Sequence, residues 1–245
     1  MEIYLSIDDT DNLESCGTGE LASQISENIQ QQGWGECSYI TRHQLFIHPD
    51  IPYTSHNSSM CFHAQIEDSA LGQVINYASD FLARVSAVGS DPGLCVALPA
   101  KLCCVPELID FGQQAKRIVL TKAQAYELAV RSGVHLSQHG GTGQGVIGAI
   151  AGIGLRMGGE DGRLKGKIAF DTDPSDNGIA VTKVLDHPWV AAVQTEQGHL
   201  LQGDERICLV DKVKIVQVKK QPVLLVQRNE QGFWQNLTRQ QLKKY

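Results

Sequence analysis

Residues 138–159 hold nine glycines in twenty-two positions, and the apolar run Val146-Ile147-Gly148-Ala149-Ile150-Ala151-Gly152-Ile153 lies inside them. A glycine in a helix interior costs ~1 kcal/mol relative to alanine, so such a segment needs a return from close packing or from close approach to a ligand. The run is too hydrophobic for a flexible hinge. Residues 140–145 read as a backbone loop, and residues 146–155 as a buried small-residue helix whose N-terminus can face an anion. Gly141, Gly143 and Gly145 are the candidates for backbone contact with a bound nucleotide.

The N-terminus adds charge to this picture. Residues 3–11 read Ile-Tyr-Leu-Ser-Ile-Asp-Asp-Thr-Asp, an apolar strand that ends in Asp8, Asp9 and Asp11. Three carboxylates so close repel and raise one another's pKa unless the loop is fully solvated, so a cation belongs among them. A hard divalent ion such as Mg2+ takes oxygen ligands from one or two carboxylates plus substrate phosphates. The plainer alternative is a solvated acidic turn. After the carboxylates, Gly17 and Gly19 bracket Thr18 at the start of a segment with Leu21, Ala22, Ile25 and Ile29 at helical spacing. Backbone N–H groups at that helix start could approach a phosphate, and the Thr18 hydroxyl could accept or relay one. No Gly-Lys-Ser, Gly-Lys-Thr or Gly-x-Gly-x-x-Gly pattern follows, so the familiar nucleotide folds are not indicated.

The rest of the chain alternates helix with sheet. Residues 36–48 read as a strand interrupted by Thr41-Arg42-His43-Gln44, residues 49–59 as turn chemistry, residues 60–67 as a strand, and residues 70–85 as a helix. A short strand over 94–98 precedes two helices over 106–116 and 121–132, with Thr121 as N-cap. Strands are expected at 179–185, 189–195, 206–209, 213–218 and 222–226, and a last one near Phe233-Trp234. With 245 residues, 42% of them hydrophobic, the chain suffices for one main domain and a small one. The expected fold class is α/β in a layered α+β form. A main α/β domain occupies 1–160, and a smaller β-rich domain, a ferredoxin-like remnant, occupies 167–245.

Seven scattered cysteines without a Cys-x-x-Cys pair argue against a disulfide scaffold and a structural zinc site. No leader-like segment or long apolar run is visible, and the expected location is cytoplasmic with no membrane partner. Residues 1–205 carry 12 Lys plus Arg against 25 Asp plus Glu, and residues 206–245 carry 9 against 2. The basic block could grip nucleic acid or dock on an acidic surface of the protein itself, and the second reading is favoured because its lysines are not interleaved with aromatic residues.

Three stretches in one order resemble a known family, the archaeal agmatidine synthetases, which use ATP to attach agmatine to the wobble cytidine of an isoleucine tRNA. They are Ile7-Asp8-Asp9-Thr10-Asp11 with Cys16 and Thr18 in or beside a Cys-Thr-Thr turn, Ile51-Pro52 with Asn57 in an Ile-Pro loop, and the run from Gly145 to Gly154, with Asp91-Pro92-Gly93 as a further match. The resemblance covers the stretch before about residue 157. It implies a kinase-like domain that holds Mg2+ and ATP through Asp8, Asp9 and Asp11, with Gly17, Gly19 and Asn57 near the nucleotide and Thr18 as a phosphate acceptor. There are departures. Thr54-Ser55-His56 stands where that family has lysine and arginine, Gly19 replaces a threonine, and no counterpart of the tRNA-gripping barrel or zinc ribbon follows.

The leading expectation is a Mg2+-dependent, ATP-using enzyme that activates an oxygen of an unidentified acceptor by phosphoryl transfer, with tRNA a disfavoured partner. Arg42, His43 and His56 are the candidates for stabilising charge or moving protons. Two alternatives stay open. One is a nucleotide-binding sensor without turnover; the other is a tRNA-acting protein that borrows recognition from a partner. Oligomeric state is not read from the sequence.

Overall fold

The computed structural model describes residues 1–51, 57–166, 168–170 and 178–245. Contacts divide the chain into two compact units, Met1–Gly158 and Gly159–Tyr245. The first contains β1 (Glu2–Asp8), α1 (Thr18–Gln31), β2 (Gly35–Cys37), β3 (Thr41–Gln44), β4 (Ser58–Ile66), α2 (Leu71–Val85), β5 (Gly93–Ala97), α3 (Val105–Ala115), α4 (Lys122–Ser132), β6 (His135–Gln138) and α5 (Gly145–Gly158). Its strands lie in the order β6-β5-β1-β4-β3, with β2 beside β3 on the same edge of β4. Every one of these pairings is antiparallel.

Alternation along β1 sorts the two faces of the sheet. Ile3, Leu5 and Ile7 enter a core with Leu21, Ile25 and Ile29 of α1 and Val74, Ala78 and Leu82 of α2. On the other face Tyr4, Cys61 and Cys95 meet Leu108 and Phe111 of α3 and Ala149, Ile150 and Ile153 of α5. The result is helix, sheet, helix: the α/β expectation in its layered α+β form.

The glycines of α5 make this layering possible. A Cβ on Gly148 would lie 1.8 Å from Asp8 Oδ2, and one on Gly152 would lie 2.3 Å from Ser6 Oγ. On the α3 side, a Cβ on Gly154 would lie 1.9 Å from the Leu108 carbonyl oxygen. The helix therefore rests directly on the alternate side chains of β1 and on the α3 backbone, an approach that the missing side chains of its glycines permit.

The second unit contains β7 (Arg163–Leu164), β8 (Ile179–Ala180), α6 (Val181–Leu185), β9 (Ala192–Gln194), β10 (Arg206–Cys208), β11 (Val216–Val218), β12 (Gln221–Arg228) and β13 (Trp234–Asn236). β12 is its centre, antiparallel to β11 and β13 and parallel to β9. Val216, Val223, Leu225, Leu237 and Leu242 form a small core there.

Two expectations are corrected. The strand over 36–48 is two short ones, β2 and β3. The strand over 179–185 is β8 followed by one helical turn and a half, because Val181 and Val184, three residues apart, are both buried on one helical side. Strand β6 was not anticipated. Among the described residues no helix is long and apolar enough to cross a membrane.

Candidate active site

A cavity of about 610 Å3 opens in the first unit at the carboxyl end of β1. Ligand pockets typically measure about 300–1,000 Å3. Asp8, Asp9, Asp11 and Thr18 line it, together with Lys122 from the first turn of α4 and Gly145 from the first turn of α5. Three helix N-termini, of α1, α4 and α5, therefore supply residues to one space that also holds four carboxylates, those of Asp8, Asp9, Asp11 and Asp50. Another wall is apolar, made by Ile51, Ala115, Ile118 and Leu120.

Asp8 is the last residue of β1 and shares the sheet face of Tyr4 and Ser6, beneath α5. Burial first, and then the charges of Asp9 and Asp11, push its carboxyl well above the ordinary range, against a backbone hydrogen bond from Asp9. Asp9 has left the strand with φ at +53°, a left-handed conformation that asparagine and aspartate tolerate better than other side chains. Burial, followed by the charge of Asp91, pushes Asp9 up to about 6. Two such carboxyls side by side resist ionisation until positive charge arrives.

The loop that follows is pinned locally. The Asn12 side-chain oxygen accepts from the backbone N–H groups of Glu14 and Ser15, both at 3.0 Å, and the Thr10 carbonyl accepts from Ala87 N–H at 3.0 Å. The buried Thr18 hydroxyl accepts from Thr10 Oγ1 at 3.1 Å and donates to Asp11 Oδ1 at 3.0 Å. Gly17 is the N-cap of α1 and makes no side-chain cap, and a Cβ there would lie 3.8 Å from Asp11 Oδ2. Gly19 is buried in the first turn of α1.

The glycine loop is occupied from within. The Asp91 carboxylate accepts from Thr142 N–H, from Thr142 Oγ1 at 2.5 Å and from Gln144 N–H at 3.4 Å. Burial alone would push Asp91 up, but these bonds hold its carboxyl below the ordinary value. Gly141 and Gly143 have positive φ, and a Cβ on them would meet Asp91 Oδ1 at 1.9 Å and Gln138 Oε1 at 2.0 Å. Gly145 donates its N–H to the Asp91 carbonyl at 3.0 Å. These glycines serve the approach of the loop to Asp91 and Gln138, and Gly145 alone of the three borders the cavity.

The remaining sequence candidates divide. Asn57 lines the cavity and donates from Nδ2 to the Phe46 carbonyl at 2.7 Å. Arg42 is outside the lining but donates from Nε to Ser58 Oγ at 3.0 Å, and Ser58 is part of the lining. His43 is fully buried, with Nε2 2.8 Å from Thr41 Oγ1. His56 falls outside the described residues. Lys122, Thr142 and the apolar wall were not anticipated. Their only sequence signal is a lysine directly after the N-cap Thr121, the end of a helix where a cation is disfavoured.

Protein-family models give no match to the chain, and no curated protein matches it. Solved structures do. Over 63% of its length this chain shares the fold of TiaS, the agmatidine synthetase of an isoleucine tRNA. The structures include a complex of TiaS with that tRNA and ATP, at a TM-score of 0.55 and 23% identity, and apo TiaS, at 0.53 and 22%. A tRNA fluorescent labelling enzyme matches equally, at 0.55 and 23%. The matched part spans 36% of the TiaS chain in the ATP complex.

Proposed function

We propose that the protein is a Mg2+-dependent, ATP-using enzyme that activates an acceptor oxygen by phosphoryl transfer. One observation carries this reading: Asp8, Asp9 and Asp11 line a single cavity with the first turns of α1, α4 and α5, beside an apolar wall. Among the described residues no three of these side chains converge into a metal-holding group by themselves, but a hard cation needs only one or two carboxylates together with substrate phosphates, and the elevated carboxyls of Asp8 and Asp9 are what such an ion would relieve. Bound there, Mg2+ would neutralise charge developing on transferring phosphate oxygens. The apolar wall suits a nucleobase. Resemblance to TiaS, which has been crystallised with tRNA and ATP and with an ATP analogue and agmatine, supports the choice of nucleotide.

The chain's own residues then have definable tasks. The Thr18 hydroxyl already donates to Asp11 Oδ1, so Asp11 is placed to take its proton when Oγ1 forms a bond to the terminal phosphorus and the bond to the leaving diphosphate oxygen breaks. In the second transfer an acceptor oxygen would bond to that phosphorus, the bond to Thr18 Oγ1 would break, and Asp11 would return the proton to Oγ1. The buried Asp8, the half-buried Asp9 and Asp11 and the helix N-termini are in place before substrate arrives, and positioning of that kind is the main requirement of phosphoryl transfer.

Titration calorimetry with Mg·ATP, followed by chromatography of the nucleotide after incubation, tests the reading. Binding and slow conversion to ADP are expected, both lost in Asp8→Asn. A second reading has its own observation: Asp91 fills the glycine loop that would otherwise offer amides to phosphate. Tight binding without product over long incubation would favour a nucleotide sensor; no binding at all would sink both.

A further inference from the structure

Four carboxylates line the cavity, from Asp8, Asp9, Asp11 and Asp50, and among the described residues Lys122 is its one basic side chain. A triphosphate entering such a space meets repulsion unless positive charge is supplied at a second point besides the metal. Lys122 stands at the first position of α4, directly after the capping box formed by Thr121 and Gln124. The helix dipole disfavours a cation at that end, so the residue does not serve the helix itself.

The surroundings of Lys122 leave its charge available. Nζ donates to the Thr142 carbonyl, a neutral acceptor, and among the described residues it has no carboxylate at ion-pair distance. An ammonium has three donors, of which this bond uses one. Thr142 is itself fixed, because its N–H and hydroxyl both donate to Asp91. The lysine head is thereby anchored at the rim of the glycine loop, bordering the same space as Thr18 and the carboxylates.

We infer that Lys122 is the phosphate-binding cation of this site, holding the terminal phosphates of a nucleoside triphosphate from the α4 side. This rests on the nucleotide reading above and adds to it the residue that offsets the charge of the four aspartates. The alternative is a purely structural tie between α4 and residue 142.

Calorimetry of the full chain with Mg·ATP, on wild type, Lys122→Gln and Lys122→Arg, separates the two. Glutamine keeps a donor for the Thr142 carbonyl and loses the charge; arginine keeps the charge. Lys122→Gln is expected to bind Mg·ATP about ten- to a hundredfold more weakly, the worth of one charged hydrogen bond, with an unchanged melting temperature. Lys122→Arg should stay within about threefold of wild type on the same scale. Wild-type affinity in Lys122→Gln overturns the inference. Equal losses in both variants, or a loss that tracks a fall in melting temperature, overturn it in favour of the tie. If wild type itself does not bind Mg·ATP, the nucleotide reading fails first; if it binds and Lys122 is indifferent, only the assignment of the lysine fails.

Discussion

At the scale of single residues, the site keeps charge where the fold would prefer none. Asp9 holds a left-handed backbone and a carboxyl pushed up to about 6, by burial first and by Asp91 second. A carboxyl raised on folding favours the folded state while protonated, and that contribution is lost as pH climbs from the unfolded value near 3.8 through about 6. With a chelator present, Asp9→Asn should therefore be more stable than wild type near neutrality, by about 1–3 kcal/mol, and no more stable near pH 4. Asparagine tolerates the left-handed conformation, so the backbone adds little to the difference. Melting curves at the two pH values check this, and a gain that ignores pH would refute the account of a carboxyl raised by burial and by Asp91. The same variant should bind Mg·ATP more weakly, so stability and binding move in opposite directions. The three N-terminal carboxylates were visible in the sequence because they are neighbours along the chain. Lys122 and Thr142 were not, because only the packing of the start of α4 against the glycine loop brings them to one cavity, and no periodic pattern records that.

At the scale of elements, α5 joins the fold to the site. Its glycines fall into two groups that differ in what a methyl group would strike. At Gly154 the obstacle is the Leu108 carbonyl oxygen, a backbone atom of α3. At Gly148 it is the Asp8 carboxyl, with Oδ2 at 1.8 Å and Cγ at 2.4 Å, side-chain atoms of the site rather than backbone. Gly154→Ala should cost stability, by about 1–3 kcal/mol for overpacking. Gly148→Ala should spend its effect on the site, displacing Asp8 and weakening Mg·ATP by about tenfold or more, the equivalent of about 1.4 kcal/mol, with a smaller change in melting temperature. Thermal melts paired with calorimetry decide, and the idea fails if the two variants lose binding and stability in the same proportion. The sequence announced α5 through its composition, and α4 through Thr121, whose capping box with Gln124 forms as the residue types suggest. It hid β6, because His135-Leu136-Ser137-Gln138 is an edge strand without an apolar face, half-buried along most of its length. It disguised α6, because Val and Thr mimic strand chemistry while the burial of Val181 and Val184 follows a helical spacing.

At the scale of the whole molecule, charge bears on whether the protein holds tRNA by itself. Residues 1–158 carry 8 Lys plus Arg against 16 Asp plus Glu, and residues 159–245 carry 13 against 11, which together give the totals of 21 and 27. The first unit is thus at −8 and the second at +2. The basic block noted in the sequence lies wholly in the second unit, and several of its cations are engaged there. Lys244 pairs with Glu196 at 2.6 Å, Arg206 donates to the Gly178 carbonyl, Lys214 donates to the Gly166 carbonyl, and Arg228 stacks over Trp234 at 3.8 Å while donating to the Gly232 carbonyl. Strong binding to a nucleic-acid backbone needs on the order of 6–10 phosphate contacts, each releasing counterions. With the block partly committed to its own fold and an excess of acid elsewhere, the chain should show no tRNA complex tighter than about 10 μM at 0.15 M salt, the level of non-specific binding. Filter binding or mobility shift across a salt series measures this. Submicromolar affinity that falls steeply with added salt would reverse the conclusion, and would mean that the second unit reorganises its basic side chains towards phosphate. Affinity that stays high as salt rises would point instead to recognition through stacking, for which the exposed Phe233 beside the Arg228–Trp234 pair is the first place to substitute.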